Sequence, residues 1–323
     1  VKSLKPYLGK KDKFTPSDVK DGLLGLVNYK IAAPKFSSQT KEKLIDERVY
    51  PLAQPQLLEA WSAFWAKNKS MAKAIIARAS LLRSKTDDFL KDKKLIKKVG
   101  QANKKLQSKL APVVGNIPAD KRELFIVEGD SAGGSAIRAR NKSFQAIYPL
   151  KGKPLNAMEA SKDKIQNNAE IVGLLAAIGV GAESKSAKGF VPSYGKIILL
   201  ADADVDGSHV NTLLLGNLHK FCPSLIDNGH VYTVRSPLYK GRHKNVVYFG
   251  MTREEVWKQA GAQCDTTYLK GWGELSPEDM NVALDPEVRT LFRIIATTSS
   301  KTTEFRALLG KSPDYRKQLL GVA

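Results

Sequence analysis

Two short apolar runs, each ending in a cluster of carboxylates, constrain this chain more than any other feature. Leu124-Phe125-Ile126-Val127 leads into Glu128-Gly129-Asp130-Ser131-Ala132-Gly133-Gly134, and Ile197-Ile198-Leu199-Leu200-Ala201 leads into Asp202-Ala203-Asp204-Val205-Asp206-Gly207. Such runs suit strands buried on both faces of a parallel sheet. Ligands and catalytic groups of these sheets collect beyond the carboxyl ends of the strands. Glu128 is therefore expected to meet the aspartates from a neighbouring strand. If the second strand stays extended, alternation projects Asp202, Asp204 and Asp206 to one side. Crowded carboxylates repel one another and call for a cation, and an all-oxygen set favours Mg2+. Gly129, Gly133, Gly134 and Gly207 would allow sharp strand-to-helix turns and a close approach of phosphate to backbone N–H groups.

Rival readings of the same residues are weaker. Asp202-x-Asp204-x-Asp206-Gly207 fits the first six positions of a calcium loop, but the twelfth, which should be Glu, is Leu213. Helix capping explains one aspartate at most and leaves Glu128 without a role. A Gly-x-x-x-x-Gly-Lys-Ser/Thr loop is lacking, and Gly179-Val180-Gly181 has no third glycine. His209, His219, His230 and His243 have no metal-like spacing. His209 follows Gly207 at an expected helix start, where a phosphate contact and a plain surface histidine are equally open.

The alternation of 22–34 reads as a strand, followed by a polar loop and a short helix from Lys41. Helical spacing runs from Gln56 to Leu82 and again from Phe89 to Leu110, the latter with an apolar stripe of Leu90, Leu95, Val99, Ala102, Leu106 and Leu110. The opposite face of that second stretch carries Lys91, Lys93, Lys94, Lys97, Lys98, Lys104, Lys105 and Lys109. It suits a solvated surface or a phosphate-facing one equally. Pro112 and Pro118 bracket a turn taken as a domain boundary. Beyond it, strand 123–127, helix 133–140, a helix over 168–178, strand 196–201, helix 208–220 and strand 230–234 give a βαβ rhythm. The fold class is thus α/β, a parallel sheet with helices on both faces, ending in a mixed tail over 245–323.

The net charge is +20, and residues 1–115 hold 25 Lys and Arg against 10 Asp and Glu, a net of +15. Such an excess points to a polyanion, most often nucleic acid. Cys222 and Cys264 are too few for a disulfide framework or a zinc site, so a reducing cytoplasm is expected. No apolar run reaches membrane-spanning length, and the first residues lack a signal-peptide core. The chain begins at Val1 without Met, so a trimmed, processed or partial product is expected.

The two acidic motifs together resemble the TOPRIM domain of type IIA DNA topoisomerases, a Rossmann-like parallel sheet. Phe144-Gln-Ala-Ile-Tyr-Pro-Leu-Lys-Gly-Lys153, Gly229-His-Val-Tyr232, Pro237-Leu-Tyr239, Lys270-Gly-Trp-Gly-Glu274, Leu284-Asp-Pro-Glu287 and the tail from Phe305 to Arg316 agree in order. Asp21-Gly-Leu23 and Pro34-Lys-Phe-Ser-Ser-Gln-Thr-Lys41 resemble the transducer domain of the same polypeptide, an α+β segment with long helices. The likeness is to the B subunit of bacterial topoisomerase IV or gyrase.

That resemblance implies three parts: 1–115 from the transducer, 116–245 as TOPRIM, and 246–323 as a tail that contacts the A subunit. It implies an ATP-dependent isomerase that cuts both strands of one duplex and passes another through. A tyrosine of the A subunit would form a 5′-phosphotyrosyl bond with release of the 3′-oxygen. Glu128, Asp202 and Asp204 would hold Mg2+, Asp206 would assist, and Asp130 would order the glycine turn. Lys151, Lys153, His209 and Lys270 would meet double-stranded DNA, with Lys270 close to the chemistry. Gln39 and Lys41 would contact ATP held by an N-terminal ATPase domain, on a missing part or a separate polypeptide. The assembly would be a heterotetramer of two A and two B subunits, in the cytoplasm of a bacterium or a phage-infected bacterium.

Two departures from the family pattern, Lys151 for Arg and Trp272 for Leu, are expected to touch no metal ligand. Tyr148, Tyr194, Tyr232 and Tyr239 read as packing residues rather than nucleophiles. The chain alone is therefore expected to be inactive in strand passage. The alternatives are another TOPRIM enzyme, a nuclease or primase, and a DNA-binding module without catalysis.

Overall fold

The computed structural model describes residues 1–10, 12–105, 109–180, 192–295 and 301–321, without the side chains of 103–105 and 301–302. Leu106, Gly181 and the side chains of Lys104 and Lys105 lie outside the described residues. Two compact units divide the chain, Val1–Leu90 and Lys91–Ala323.

In the first unit, helix α1 (Pro16–Lys20) starts from a capping box in which the Thr15 hydroxyl and backbone N–H both donate to Asp18. Helix α2 (Val49–Lys67) is followed at once by helix α3 (Lys69–Lys105). Asn68 separates them: its backbone leaves the helical region (φ −122°, ψ 52°) and its side-chain amide donates to the Phe64 carbonyl at 2.9 Å. The single helix expected over 56–82 is therefore two. The gap expected between 82 and 89 is absent, because Arg83 and Asp87 pair one turn apart at 2.9 Å. Leu4, Trp65, Ala72 and Ile76 form the core here.

The strand expected over 22–34 is not formed. Among the described residues no strand pairs with it, and Leu24 and Leu26 are 98% and 95% exposed. An extended segment with no neighbour has no ladder to hold it as a strand. The helix expected from Lys41 is also absent. Instead a tight loop is closed by a bridge between Phe36 and Leu44, with Lys41 at φ 54°. Asp46 anchors the base of this loop by accepting from Arg48 Nε at 2.8 Å and from the Lys35 N–H at 3.3 Å.

The second unit begins its sheet with β1 (Glu123–Glu128), α4 (Asp130–Ala139) and β2 (Gln145–Leu150). Next come α5 (Lys162–Asn167), α6 (Ala169–Ile178), β3 (Lys196–Leu200), α7 (Val205–Phe221), α8 (Pro223–Asp227) and β4 (Val231–Val234). The tail supplies β5 (Tyr239–His243), β6 (Val246–Gly250), α9 (Arg253–Ala260), β7 (Thr266–Tyr268), α10 (Pro277–Ala283), β8 (Leu291–Arg293), α11 (Lys301–Leu309) and α12 (Asp314–Leu319).

The main sheet runs β2-β1-β3-β4-β8, parallel except for β8 at the edge. A second, antiparallel sheet runs β6-β5-β7. Alternation divides the main sheet cleanly. Leu124, Ile126, Tyr148, Ile197 and Leu199 face a core completed by α6, α7 and Val99 of α3. Phe125, Val127, Ile147, Ile198 and Leu200 face another, completed by α4, α10 and Trp272. Helices thus cover both faces, as the apolar runs require.

At the amino end of β1, Glu123 is 3% exposed and accepts a hydrogen bond from Arg289 Nη2 of the tail. Gln145 donates to the other Glu123 oxygen at 3.2 Å, and Arg289 Nη1 donates to the Leu284 carbonyl at 2.8 Å. These contacts tie the tail to the root of the sheet.

Candidate functional site

Val127 pairs with Leu200 across the β1–β3 ladder, so Glu128 and Asp202 leave the sheet at the same edge from adjacent strands. Gly129 turns the chain into α4 with φ 79°, a region costly to any residue with a Cβ. Gly133 serves packing rather than phosphate approach, because a methyl there would meet Pro149 Cβ at 2.6 Å.

The extended run expected through Asp206 ends early. β3 stops at Leu200, and Asp204 caps α7, its Oδ1 accepting from the Gly207 N–H at 2.7 Å. A cap satisfies an otherwise unpaired helix N–H, and it turns Asp206 into the first helical turn. Asp206 is exposed, and its Oδ1 accepts from Lys153 Nζ at 2.7 Å. A methyl on Gly207 would lie 2.2 Å from the Asp202 carbonyl oxygen. The backbone cannot yield cheaply there, so Gly207→Ala should destabilise the chain by about 1–3 kcal/mol in urea unfolding.

Asp202 is half-buried, and its Oδ1 accepts from the Trp272 backbone N–H at 2.8 Å. The Trp272 indole N–H donates to the Ala201 carbonyl at 3.1 Å. The expectation that the Trp at 272 touches no presumed ligand is therefore corrected. Sequence spacing could not reveal this contact, which joins residues 70 positions apart.

Glu128 turns toward the Asp202 backbone N–H, while its Oε2 is buried with no protein partner. Burial raises the Glu128 carboxyl above its ordinary value, and the charges of Asp202 and Asp204 add to this. Asp202 is also raised, first by burial, with the Trp272 N–H opposing and Asp204 and Glu274 adding. Asp206 is lowered by its hydrogen bond and charge contact with Lys153.

Among the described residues, no group of three or more His, Cys, Asp or Glu side chains is already gathered as an ion shell. The three aspartates are each held by a different donor. Glu128 Oε2 is the exception, a buried acceptor facing like charges. An all-oxygen set of this kind fits a hard divalent cation such as Mg2+.

Lys151, Lys153 and His209 are exposed, and the Lys151 backbone N–H donates to Glu170 at 3.4 Å. Lys270 is exposed, with its backbone N–H donating to Glu274 at 3.1 Å, and it precedes the two residues that touch Asp202. Gln39 and Lys41 are exposed on the loop of the first unit. Part of the lysine face of α3 has internal partners: Lys91 pairs with Asp163 at 3.0 Å, and Lys98 donates to Asn167 at 2.8 Å. Tyr148 and Tyr194 are buried, and burial raises both phenols. Tyr239 packs edge-on against Tyr268 at 5.4 Å.

Residues 2–95 match the family described as DNA gyrase B, and residues 123–235 match the Toprim domain. The gyrase B protein of Thermotoga maritima is 32% identical over 326 residues, covering 97% of this chain and 50% of that protein. That of Streptomyces coelicolor is 36% identical over 329 residues, covering 96% and 47%. That of Haloferax volcanii is 35% identical over 319 residues, covering 96% and 49%. The crystal structure of the Plasmodium falciparum topoisomerase II DNA-binding, cleavage and re-ligation domain aligns with a TM-score of 0.53 at 25% identity, covering 65% of this chain and 30% of that one. The chain spans about half the length of the curated relatives it matches. On these matches, carried by its two domains in turn, the chain belongs to the DNA gyrase B family.

Proposed function

We propose that this chain is the Mg2+-binding subunit of an ATP-dependent type II DNA topoisomerase. Its partners are double-stranded DNA, an A-type subunit that carries the nucleophilic tyrosine, and an ATPase domain on another stretch of polypeptide. The observation that carries the reading is the meeting of Glu128 and Asp202 at one sheet edge, with Glu128 Oε2 buried and unpartnered. Glu128, Asp202 and Asp204 are the ligands, and Asp206 assists. A Mg2+ ion held there supplies Lewis-acid stabilisation of charge on the scissile phosphate and the departing 3′-oxygen.

The chain's own groups bind and orient the duplex. Lys151, Lys153, His209 and Lys270 contact the DNA backbone, which positions the duplex without reading sequence. The Lys153–Asp206 pair is half exposed or more on both sides, so solvent screens it and it is weakly held. A DNA phosphate can therefore take Lys153 and leave Asp206 free to face the cation. We assign 1–115 to the transducer part, with Gln39 and Lys41 reaching ATP, 116–245 to the Toprim part, and 246–323 to a tail that contacts the A subunit. Two of each subunit form the working heterotetramer in the cytoplasm.

The test is reconstitution with the A-type subunit encoded in the same genome, on supercoiled plasmid. Double-strand breaks with protein bonded to the 5′ ends should need both that subunit and Mg2+. Cleavage by this chain alone would favour a Toprim nuclease. Undiminished cleavage in excess EDTA would overturn the metal assignment.

A further inference from the structure

Trp272 makes two hydrogen bonds to one short stretch of chain. Its indole N–H holds the Ala201 carbonyl at 3.1 Å and its own backbone N–H holds Asp202 Oδ1 at 2.8 Å. The side chain is 2% exposed and packed with Phe125, Val127 and Leu200 of the sheet, so the indole has little freedom to move. The preceding residue closes the grip. A methyl on Gly271 would lie 2.3 Å from Asp202 Oδ2 and 2.4 Å from its Cγ. Gly271 is extended (φ −173°), a conformation open to any residue, so glycine is required there for space alone. The carboxylate of Asp202 thus rests against a bare Cα with one oxygen tied, before any ion arrives. A leucine at 272 could supply the backbone N–H but not the indole bond.

We propose that Trp272 is a positioning residue of the metal site, fixing the aim of Asp202 through the Ala201 carbonyl, with Gly271 as the wall against which the carboxylate is set. This rests on the reading of Glu128 and Asp202 as ligands. Groups that orient ligands without touching the ion commonly change metal affinity by 10- to 100-fold when removed.

The experiment uses the full chain and Mn2+ as probe, with free Mn2+ counted by electron paramagnetic resonance and thermal unfolding recorded with and without the ion. Trp272→Phe keeps an aromatic ring in the core but removes the indole N–H together with the five-membered ring that carries it. It should raise the Mn2+ Kd about 10-fold, and the metal-free melting point should fall because the smaller ring leaves space beside Phe125, Val127 and Leu200, so Kd is the deciding readout. Gly271→Ala should raise Kd further, because the added methyl displaces the Asp202 carboxylate rather than backbone. If both variants bind Mn2+ as the parent does while Glu128→Gln does not, the positioning role is refuted and the ligand assignment stands. If Glu128→Gln and Asp202→Asn also bind as the parent does, the ligand assignment itself fails. A lower metal-free melting point with unchanged Kd would reduce Trp272 to a core residue and refute the proposal.

Discussion

Glu128→Gln should lower Mg2+-dependent cleavage by the reconstituted complex about 10²–10³-fold, equivalent to about 3–4 kcal/mol of transition-state stabilisation. The same substitution should make the metal-free chain more stable at neutral pH. Glu128 Oε2 is buried without a partner, and the carboxyl sits among the charges of Asp202 and Asp204. Removing the charge relieves that repulsion. Because the rest of the group is open to solvent, the gain is about 1 kcal/mol. The pH dependence has a definite sign. Glu128 and Asp202 are both raised in the folded chain, so the folded state retains protons that the unfolded state has released. Stability of the metal-free parent should therefore fall as pH rises from the ordinary carboxylate range through the raised values, and recover on acidification. Glu128→Gln should flatten this dependence, and Mg2+ should offset it in the parent alone. Urea unfolding at several pH values, with EDTA or Mg2+, checks both halves. A metal-free variant that is less stable than the parent would contradict the electrostatic account.

Arg289→Ala should cost about 3–5 kcal/mol, the usual result of leaving one member of a buried ion pair alone. The Arg289 and Glu123 side chains are 1% and 4% exposed. Lys196, 3.3 Å from Glu123 and 41% exposed, can replace little of the lost partner. The pair is not evidence of net stabilisation, because Arg289 Nε is itself buried without an acceptor. The double variant Glu123→Leu, Arg289→Met should accordingly recover most of the loss. Urea midpoints for the two single variants and the double variant provide the check. A single-variant loss below about 1 kcal/mol would mean that water enters and solvates Glu123.

Much of the sheet was legible because β1 and β3 are buried on both faces, and runs such as Ile197 to Leu200 admit few other placements. The helices over 133–140 and 208–220 followed from the same rhythm. The strand over 22–34 misled because alternation records which faces could be covered, not whether a neighbour exists. Asn68 was missed because a break made by one side-chain amide leaves the apolar spacing on either side intact. Continuity through 83–88 was missed for the opposite reason: those residues are polar all round, and an ion pair rather than an apolar stripe supports them. At the site, residue types and strand adjacency were readable. That capping could take one aspartate was readable, but not that it would be Asp204, whose cap ends the strand extension expected through Asp206. The Trp272 and Arg289 contacts bridge 70 and 166 positions, beyond the reach of any local pattern.

The split of the main sheet between two cores carries a consequence for how this protein can vary. Every residue from Leu124 to Val127 belongs to one core or the other in strict turn. Substitutions of similar volume leave that order intact. One inserted or deleted residue in β1 would send each following side chain to the opposite face, and would move Glu128 away from the rim where Asp202 emerges. Changes in length should therefore be confined to the connections. Within the strand, counting matters more than composition.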